Sequence, residues 1–335
     1  MKRLGVVARA DNGGLGNLLW EFCRHMQPDR VLIMDLGEYG RSDVHLDRFD
    51  GLDYRVVRGL APGRDDRAWL LDGCDVLYSA ETWYADEIPY EAKERGVRTV
   101  LHVMPELHTG RIADELWTPT TWRREFLPTA RLVPVPIALD RFEFRPRSPA
   151  RHFVHVWAPA MMDRNGTSPT LAALELVRTP MRCTIIGAQQ RLHLENPASP
   201  VTMKSEPCGY PDNYFDIWPE DADVLILPRR YAGLSMPVQE AAARGMAAIM
   251  PMIDPQSGWP GVAGFGTRGR PQRVQMAGGI VDVFDPDPSL LAGAIEAFAS
   301  EDYAREMSLR ARGWAEGLSW DVWAPRYRGL LGLSS

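Results

Sequence analysis

The chain has few cysteines and no long apolar run. Its four cysteines (Cys23, Cys74, Cys183 and Cys208) lie far apart among 335 residues. They show neither the spacing of a metal site nor a disulfide framework, so we expect reduced thiols. No stretch resembles an 18-residue membrane span, and residues 1–8 lack the apolar segment of a secretion signal. These absences predict a cytoplasmic protein with no integral membrane segment.

The charge balance is mildly acidic, with a formal net charge of -6 and a pI near 5.7. It argues weakly against a broad nucleic-acid-binding surface, although a local basic groove remains open. Hydrophobic residues make up 45% of the chain and charged residues 24%, which is the composition of a folded globular protein. At this length the chain can form two domains, each with its own core.

Short apolar runs alternate with helical patterns along both halves of the chain, which predicts parallel, doubly wound sheets. Strands are expected at residues 4–8, 31–35, 54–57, 75–79, 97–103 and 132–135, and then at 153–157, 182–187, 201–203, 223–227, 247–251 and 280–284. Helices are expected at residues 15–26, 84–95, 120–127, 168–178, 236–244, 289–300, 303–316 and 320–331. Residues 141–150 are rich in proline and arginine and mark a linker between the halves.

The stretch of residues 223–245 carries the strongest functional signal. An apolar run ends at Pro228, a turn centred on Gly233 follows, and a helix opens at Met236 and Pro237. A buried strand, a tight turn and a helix N-terminus in this order point main-chain N–H groups at an anion. Glu240 lies about one turn into the helix, where its carboxylate can reach a ligand at the same end.

This stretch resembles the donor-sugar motif of retaining GT-B glycosyltransferases, especially glycosyltransferase family 4. Residues 115–126, 136–140 and 318–327 are similar to three further segments of that family, so the resemblance spans nearly the whole chain. It implies an α/β protein with two Rossmann-like, doubly wound domains facing across a cleft. The implied domains are an acceptor domain (1–145), a nucleotide-sugar donor domain (146–318) and a last helix (319–335) that crosses back to the first domain.

The resemblance assigns donor-binding roles to residues around the motif. It implies that Glu240 binds ribose hydroxyls and that the main chain of Gly233, Leu234 and Ser235 contacts phosphate or sugar. Arg164 matches a phosphate-binding lysine of the family, so it is expected both to bind the donor and to act in catalysis. The alternatives are ordinary ones: for Glu240 a solvated helix glutamate or a capping partner at a helix N-terminus, for Gly233 a plain loop glycine, and for Arg164 a surface turn arginine.

Two positions depart from the family pattern. Pro159 stands where the family has a second phosphate-binding arginine, and Ala232 stands where it has a glutamate at the donor sugar. We hypothesise that Arg229 or Arg230, just after the strand, replaces the missing cation; the alternative is two solvated loop arginines. Ala232 implies a different donor sugar, weak binding or an inactive protein.

Candidate residues in the first half are less specific. His102, at the end of an apolar strand, resembles a histidine that the family places beside the acceptor, and we predict a catalytic role; a satisfied core histidine is the alternative. The glycine-rich turn after the first strand includes Gly14, a candidate donor contact. Asp11, Asn12 and Glu106 are candidate acceptor contacts, and an ordinary turn is equally compatible with this pattern.

Together these features predict a metal-independent retaining glycosyltransferase with a UDP- or GDP-linked sugar as donor and no obligatory cofactor. The acceptor stays open among a glycan, a lipid, a protein and modified DNA. A second hypothesis is a catalytically weak or inactive protein that binds nucleotide sugars or glycans on the same fold. An epimerase or a hydrolase is a third, with no distinguishing motif. The segment 252–279, rich in Gly, Pro and Arg, is read as a lid or as a surface loop.

Overall fold

The computed structural model describes residues 2–37, 44–107, 110–157, 163–187, 190–196, 202–207, 217–231, 233–276 and 278–333. Within these ranges no helix is both long and apolar enough to cross a membrane. Cys23, Cys74 and Cys183 are buried free thiols, and burial raises the pKa of Cys74 to about 11. Cys208 lies outside the described residues.

The described residues form sixteen strands and eight α-helices. The strands are β1 (Leu4–Ala8), β2 (Arg30–Asp35), β3 (Tyr54–Arg58), β4 (Val76–Ala80), β5 (Arg98–His102), β6 (Glu115–Thr118), β7 (Arg131–Leu132), β8 (His152–Val156), β9 (Met181–Ile186), β10 (Gln190–Asn196), β11 (Thr202–Pro207), β12 (Val224–Ile226), β13 (Ala247–Pro251), β14 (Val262–Phe265), β15 (Thr267–Met276) and β16 (Gly279–Pro286). The helices are α1 (Gly14–Met26), α2 (Arg64–Leu71), α3 (Ile88–Glu94), α4 (Thr167–Leu176), α5 (Met236–Ala243), α6 (Pro288–Ala297), α7 (Glu301–Gly317) and α8 (Trp320–Leu331).

The chain divides into two compact units. The first comprises Met1–Pro136, Met276–Gly279 and Trp320–Ser335, and the second comprises Ile137–Gln275 and Ile280–Ser319. In the first unit the strand order is β3-β2-β1-β4-β5-β6-β7, and every neighbouring pair is parallel. All five residues of β1 are buried, as expected of a central strand covered on both faces.

The last helix, α8, belongs to the first unit. Tyr327 is 1% exposed, and its hydroxyl donates a hydrogen bond to the carbonyl oxygen of Pro134 at 2.9 Å. The rings of Trp320 and His25 stack with centroids 4.6 Å apart, and the ring of Tyr327 meets that of Trp117 edge-on at 5.3 Å. An aromatic cluster therefore anchors α8 to α1 and β6.

The second unit repeats the parallel arrangement and adds an antiparallel edge. Its strand order is β11-β10-β9-β8-β12-β13-β14. The strands from β9 through β8, β12 and β13 to β14 are parallel, whereas β10 runs antiparallel to both β9 and β11. Its core cluster joins strand residues such as Phe153 and Ile249 to Leu291 and Phe298 of the α6 region. The predicted pair of Rossmann-like, doubly wound units is confirmed.

Several predicted elements were wrong. The predicted helix at 84–95 begins only at Ile88, because Tyr84 has φ +64° and Pro89 lies in the first helical turn. The predicted helix at 120–127 is reduced to a 3-10 turn at Arg124–Phe126, which follows a left-handed Arg123. Helix α2 and strands β6, β10, β14 and β15 were not predicted. The segment 252–279 is not a structureless loop, since it contains β14 and β15, and β15 pairs with β16.

Candidate functional site

The predicted anion-binding stretch forms a strand, a turn and a helix in the second unit. Gly233 has φ +138°, a conformation that L side chains rarely adopt. Ser235 is the N-cap residue of α5, with φ -125° and ψ 91°, and its side chain makes no capping hydrogen bond. Ser235 is 1% exposed, so its hydroxyl is buried. At this end of α5 the main-chain N–H groups of Val238 and Gln239 donate to the carbonyl oxygen of Ser235, while its hydroxyl is left without a partner among the described residues.

Glu240 lies on the fifth position of α5 and is buried, with 4% of its surface exposed. Its Oε2 accepts a 2.9 Å hydrogen bond from Nε1–H of Trp218. This contact fixes the orientation of the carboxylate. The structure thus excludes the alternative of a solvated helix glutamate. Sequence reasoning missed Trp218, because nothing local to residue 218 indicates contact with a helix 22 positions later.

The turn that carries Arg164 packs directly on the donor motif. The carbonyl oxygen of Arg164 accepts a 2.9 Å hydrogen bond from the main-chain N–H of Arg230. The guanidinium of Arg164 lies 4.6 Å from the centroid of the Tyr231 ring. Gly166 has φ +73°, and a Cβ there would clash with the carbonyl of Pro228. The fold therefore brings Arg164 beside the turn that contains Gly233.

Arg229 and Arg230 are engaged by the protein itself. The Nη1 of Arg229 donates to the carbonyl oxygen of Leu234 at 2.9 Å, which braces the turn. The Nε of Arg230 donates to the carbonyl oxygen of Phe284 at 3.0 Å, and its Nη2 lies 3.8 Å from a carboxylate oxygen of Asp285. Neither is a solvated loop arginine. Their proposed replacement of a missing phosphate ligand stays a prediction.

A buried histidine that sequence reasoning missed links two elements beside this site. His155 of β8 is fully buried; its Nδ1 lies 2.9 Å from the carbonyl oxygen of Ile226, and its Nε2 lies 2.8 Å from Oγ1 of Thr167. It therefore ties β12 to the first residue of α4. Burial lowers the pKa of His155 to about 4, so the ring is neutral near pH 7. A histidine within an otherwise apolar strand was the available signal.

The glycine-rich turn of the first unit is filled by its own side chains. Asp11 is 4% exposed, pairs with Arg9, and accepts a 2.7 Å hydrogen bond from the main-chain N–H of Gly13. A Cβ on Gly16 would clash with the carbonyl of Asp11, so the turn requires glycine there. Gly14 is exposed as the first residue of α1. A carboxylate already lies at this helix N-terminus, which disfavours a second anion.

Asn12 belongs to the same polar cluster. Its Nδ2 lies 2.8 Å from Nε2 of His45, and its Oδ1 accepts from Arg48. Its carbonyl oxygen accepts a 3.2 Å hydrogen bond from Asn17. The guanidinium of Arg48 lies over the ring of Trp20 at 4.6 Å. These bonds position Asn12 rigidly at the carboxyl end of β1.

His102 occupies the core of the first unit. It is 0% exposed, and its Nδ1 lies 3.1 Å from the hydroxyl of Tyr78. The rings of Tyr78 and Trp117 meet it edge-on, at 6.4 and 6.0 Å between centroids. Burial lowers the pKa of His102 to about 3, with a smaller opposing effect from a backbone hydrogen bond to Val133. The ring is buried in the core, as in the alternative reading, but its Nε2 has no hydrogen-bond partner among the described residues, and the catalytic role stays a prediction.

Glu106 is 5% exposed and lies against the Met276–Gly279 segment of the first unit. Its carbonyl oxygen accepts a 3.0 Å hydrogen bond from the N–H of Gly278, and Arg123 donates to the carbonyl of Gly278 at 2.7 Å. A Cβ on Gly278 would lie 2.5 Å from the carbonyl oxygen of Pro105. This contact requires a glycine at 278, and no sequence signal indicated it.

The two positions that depart from the family pattern, Pro159 and Ala232, lie outside the described residues. Within the described part of the chain, no group of three or more His, Cys, Asp or Glu side chains is arranged to hold a metal ion. The donor candidates of the second unit lie around one end of α5; they are Arg164, Arg229, Arg230, Glu240 and the turn at Gly233. The candidates Asp11, Asn12, Gly14, His102 and Glu106 lie in the first unit.

No family model matches the chain, and no curated protein does. The solved structure of sucrose-phosphate synthase from Thermosynechococcus elongatus is similar with a TM-score of 0.62 and 13% identity, covering 100% of both chains. The chain has the GT-B fold. The catalytic domain of starch synthase IV from Arabidopsis thaliana, bound to ADP and acarbose, has a TM-score of 0.59 and 11% identity over 99% of both chains. The apo form of the lipopolysaccharide outer core galactosyltransferase WaaB is similar with a TM-score of 0.55 and 11% identity, covering 99% of both chains.

The GT-B fold was predicted from the motif in residues 223–245 and from the alternation of strands and helices, and these likenesses confirm it. Identities of 11 to 13% establish the architecture alone. Membership of family 4 stays a prediction.

Proposed function

We propose that the chain is a retaining glycosyltransferase that uses a nucleoside-diphosphate sugar. The observation that carries the proposal is the N-terminus of α5, where the N-cap side chain makes no capping hydrogen bond, Gly233 has a glycine-specific conformation, and the Ser235 hydroxyl is buried without a partner among the described residues. This geometry suits a diphosphate, because helix N-termini bind anions. Similar folds are those of proteins named for sugar transfer and synthesis, one of them bound to ADP.

Each part of the donor meets a suitable group in this proposal. The diphosphate lies against the N–H groups of the turn and the guanidinium of Arg164, and the ribose hydroxyls donate to the carboxylate of Glu240. Trp218 holds that carboxylate in a single orientation. A UDP- or GDP-linked sugar is the expected donor, and no metal ion is required because α5 and Arg164 stabilise the negative charge.

The proposed reaction breaks the bond between the anomeric carbon and the diphosphate oxygen, and forms a bond from an acceptor hydroxyl oxygen to the same face of that carbon. The electron pair leaves with the diphosphate, whose growing charge α5 and Arg164 stabilise. The acceptor proton passes to a diphosphate oxygen. Acceptor contacts at Asp11, Asn12 and Glu106 and a catalytic role for His102 are expected from the family resemblance alone; a glycan, lipid, protein or modified DNA acceptor fits this scheme.

Release of nucleoside diphosphate from a panel of UDP-, GDP- and ADP-sugars tests the proposal. The wild-type protein should release nucleoside diphosphate from at least one donor, and the release should be slow when no acceptor is present. Glu240→Gln keeps an acceptor for Trp218 but weakens ribose binding, so the rate at low donor concentration should fall at least tenfold, as expected for one charged hydrogen bond. Glu175→Gln, on the exposed face of α4, is the matched control and should equal wild type. Turnover unaffected by Glu240→Gln contradicts the proposed site.

A second candidate function is a nucleotide-sugar-binding protein without turnover. The internal bonds of Arg229 and Arg230 favour it, because these cations already brace Leu234 and Phe284. Donor binding measured by calorimetry, combined with no diphosphate release from any donor in the panel, would select this function over the transferase.

A further inference from the structure

Asp163 occupies the turn before α4 in a conformation that residues other than glycine rarely adopt. Its φ is +50°, in the left-handed region that Asp and Asn tolerate better than most L residues. Its carbonyl oxygen accepts a 2.8 Å hydrogen bond from the N–H of Gly166. Its carboxylate accepts 2.9 Å hydrogen bonds from the main-chain N–H groups of Thr167 and Ser168, the first two residues of α4. Three hydrogen bonds thus hold Asp163 in this conformation.

The carboxylate of Asp163 closes the N-terminus of α4. The N-cap residue of this helix is Gly166, which has no side chain to offer, and Asp163 caps the first N–H groups in its place. A negative charge at a helix N-terminus is favourable, so the chain itself satisfies this end of α4. The contribution of the turn to an anion site is therefore the guanidinium of Arg164, the next residue, rather than the N–H groups of α4.

The main chain of Arg164 is fixed on both sides. Asp163 precedes it, and Asn165, which follows, is 7% exposed and donates from Nδ2 to the carbonyl oxygen of Val156 at 2.9 Å. The carbonyl oxygen of Arg164 itself accepts a 2.9 Å hydrogen bond from the main-chain N–H of Arg230. A side chain on a fixed main chain loses less conformational freedom when a ligand binds, which favours affinity.

His155 supports this turn from the core of the second unit. The carbonyl oxygen of Ile226 can only accept, so Nδ1 of His155, 2.9 Å away, carries the ring hydrogen. Nε2 is then the acceptor, and Oγ1 of Thr167 donates to it at 2.8 Å. The lowered pKa of His155, about 4 because of burial, agrees with a neutral ring at pH 7. The buried histidine therefore binds the same threonine whose N–H donates to Asp163.

We propose that Asp163 is a positioning residue of the donor site, which holds the guanidinium of Arg164 in the orientation that binds the diphosphate, and that His155 supports it through Thr167. Asp163 touches no part of the donor in this scheme and acts through Arg164. A carboxylate next to a phosphate-binding arginine does not oppose the diphosphate here, because α4 stabilises its charge. The inference rests on the proposed function, since it takes Arg164 as a ligand of the diphosphate.

Calorimetric titration with UDP, GDP and ADP, each compared with its nucleoside, tests the proposal. For a nucleoside diphosphate that wild type binds, Asp163→Ala should lower the affinity at least tenfold. The affinity for the nucleoside, which has no phosphate to meet Arg164, should stay within about twofold of wild type. Asp163→Asn tolerates the same positive φ and keeps one acceptor oxygen, so it should retain the diphosphate affinity within about threefold.

Asp287→Ala is the matched control. Asp287 caps α6 in the same way, since its carboxylate accepts from the main-chain N–H groups of Ser289 and Leu290 at 2.8 and 3.3 Å. Both alanine variants remove the cap of a helix in the second unit and should lower the Tm. Only Asp163→Ala should weaken diphosphate binding, measured at a temperature where both variants are folded. Equal losses of affinity in the two variants would overturn the proposal.

A double-mutant cycle separates positioning from a general structural role. Asp163→Ala should change the diphosphate affinity less than twofold when it is combined with Arg164→Gln, because the group that it positions is then absent. The same loss in both backgrounds would overturn the proposal. Thr167→Val removes the hydroxyl that binds His155 and should lower the affinity about threefold, whereas Thr167→Ser keeps it and should bind as wild type. Equal affinities of the two Thr167 variants would overturn the role of His155.

The failure of this inference is distinguishable from that of the proposed function. If wild type binds no nucleoside diphosphate, the proposed function fails and the positioning role fails with it. If wild type binds one and Arg164→Gln weakens the binding, but Asp163→Ala does not, only the positioning role is overturned. Wild-type affinity in Arg164→Gln would remove Arg164 from the site and overturn the positioning role, while the binding of diphosphate by α5 would stand.

Discussion

The two units contain the same local arrangement, a strand followed by a glycine turn and a helix N-terminus. They differ in the side chains that lie at the helix N-terminus. In the first unit the carboxylate of Asp11 accepts the N–H of Gly13 and pairs with Arg9. In the second unit the side chain of the N-cap residue Ser235 does not cap α5, and its buried hydroxyl has no partner among the described residues. A buried carboxylate paired with an arginine therefore lies at the N-terminus of α1, whereas at the N-terminus of α5 lies a hydroxyl to which no described residue is bonded.

This difference shows why a glycine-rich turn is weak evidence of a ligand site by itself. Both turns require glycine, Gly16 for a close approach and Gly233 for its φ of +138°. What separates them is the charge already at the helix end. An anion suits the N-terminus of α5, whereas at the N-terminus of α1 the carboxylate of Asp11, paired with Arg9, already accepts the N–H of Gly13.

The largest expected effect comes from placing a carboxylate at the N-terminus of α5, as Asp11 does at the N-terminus of α1. Ser235→Asp places a carboxylate at the N-terminus of α5, where it repels the diphosphate and occupies helix N–H groups. Nucleoside-diphosphate affinity, measured by calorimetry, should fall roughly a hundredfold, or about 2.7 kcal/mol. Ser235→Asn has nearly the same shape without the charge and should retain most of the affinity. Equal losses in both variants would show that shape, and not charge, decides binding.

The two buried histidines make the free energy of unfolding depend on pH, in a direction that can be predicted. The folded-state pKa is about 4 for His155 and about 3 for His102, while the unfolded value is near 6.5. The unfolded chain therefore binds more protons, and stability is fully present above about pH 6.5 and declines below it. Replacement of either histidine by Gln should reduce the loss of unfolding free energy between pH 7 and pH 5 by about 2 kcal/mol. Urea unfolding at pH 7 and at pH 5 measures this change in unfolding free energy. A change as large in the Gln variants as in wild type would contradict the burial argument.

A third prediction concerns the shape of the second turn. Gly233→Ala forces an L side chain into a φ of +138°, which costs about 1–3 kcal/mol of strain. Nucleoside-diphosphate affinity should fall about tenfold, because the turn relaxes away from the phosphate-binding shape. Gly313→Ala, within α7 where a Cβ meets nothing within 4 Å, is the control and should leave affinity unchanged. Wild-type affinity in Gly233→Ala would remove this turn from the site.

The smallest effect on nucleotide binding is expected in the first unit. Asp11→Asn removes the partner of the buried Arg9, so the unfolding free energy should fall by about 2 kcal/mol. Nucleoside-diphosphate affinity should stay within twofold of wild type, measured under conditions where both proteins are folded. A strong gain or loss of affinity would show that the turn at Asp11 also contributes to donor binding.

Strong apolar patterns predicted the scaffold well. Strands Leu4–Ala8 and Ala247–Pro251 and helix Trp320–Leu331 have the same bounds in the sequence prediction and in the structure, because each has a clear period or a fully apolar run. Strand β15 was missed because its exposed arginines give no buried face to detect. The start of α3 was missed because the positive φ of Tyr84 has no signature in its residue type.

The candidate site was predictable in its local part only. The turn at Gly233 and the helix that carries Glu240 follow from adjacent residues. The bond from Trp218 to Glu240 and the bond from His155 to Thr167 join segments that become neighbours only through packing. Long-range polar contacts of this kind leave no periodic trace, so a single sequence does not reveal them.

The central claim is that the N-terminus of α5 binds the diphosphate of a nucleotide sugar. Calorimetric titration of wild type with UDP, GDP and ADP, each compared with its nucleoside, tests it most directly. We predict that at least one nucleoside diphosphate binds ten times or more tightly than its nucleoside, and that Ser235→Asp removes this difference. Equal affinity for diphosphate and nucleoside, or a difference that survives in Ser235→Asp, would contradict the claim.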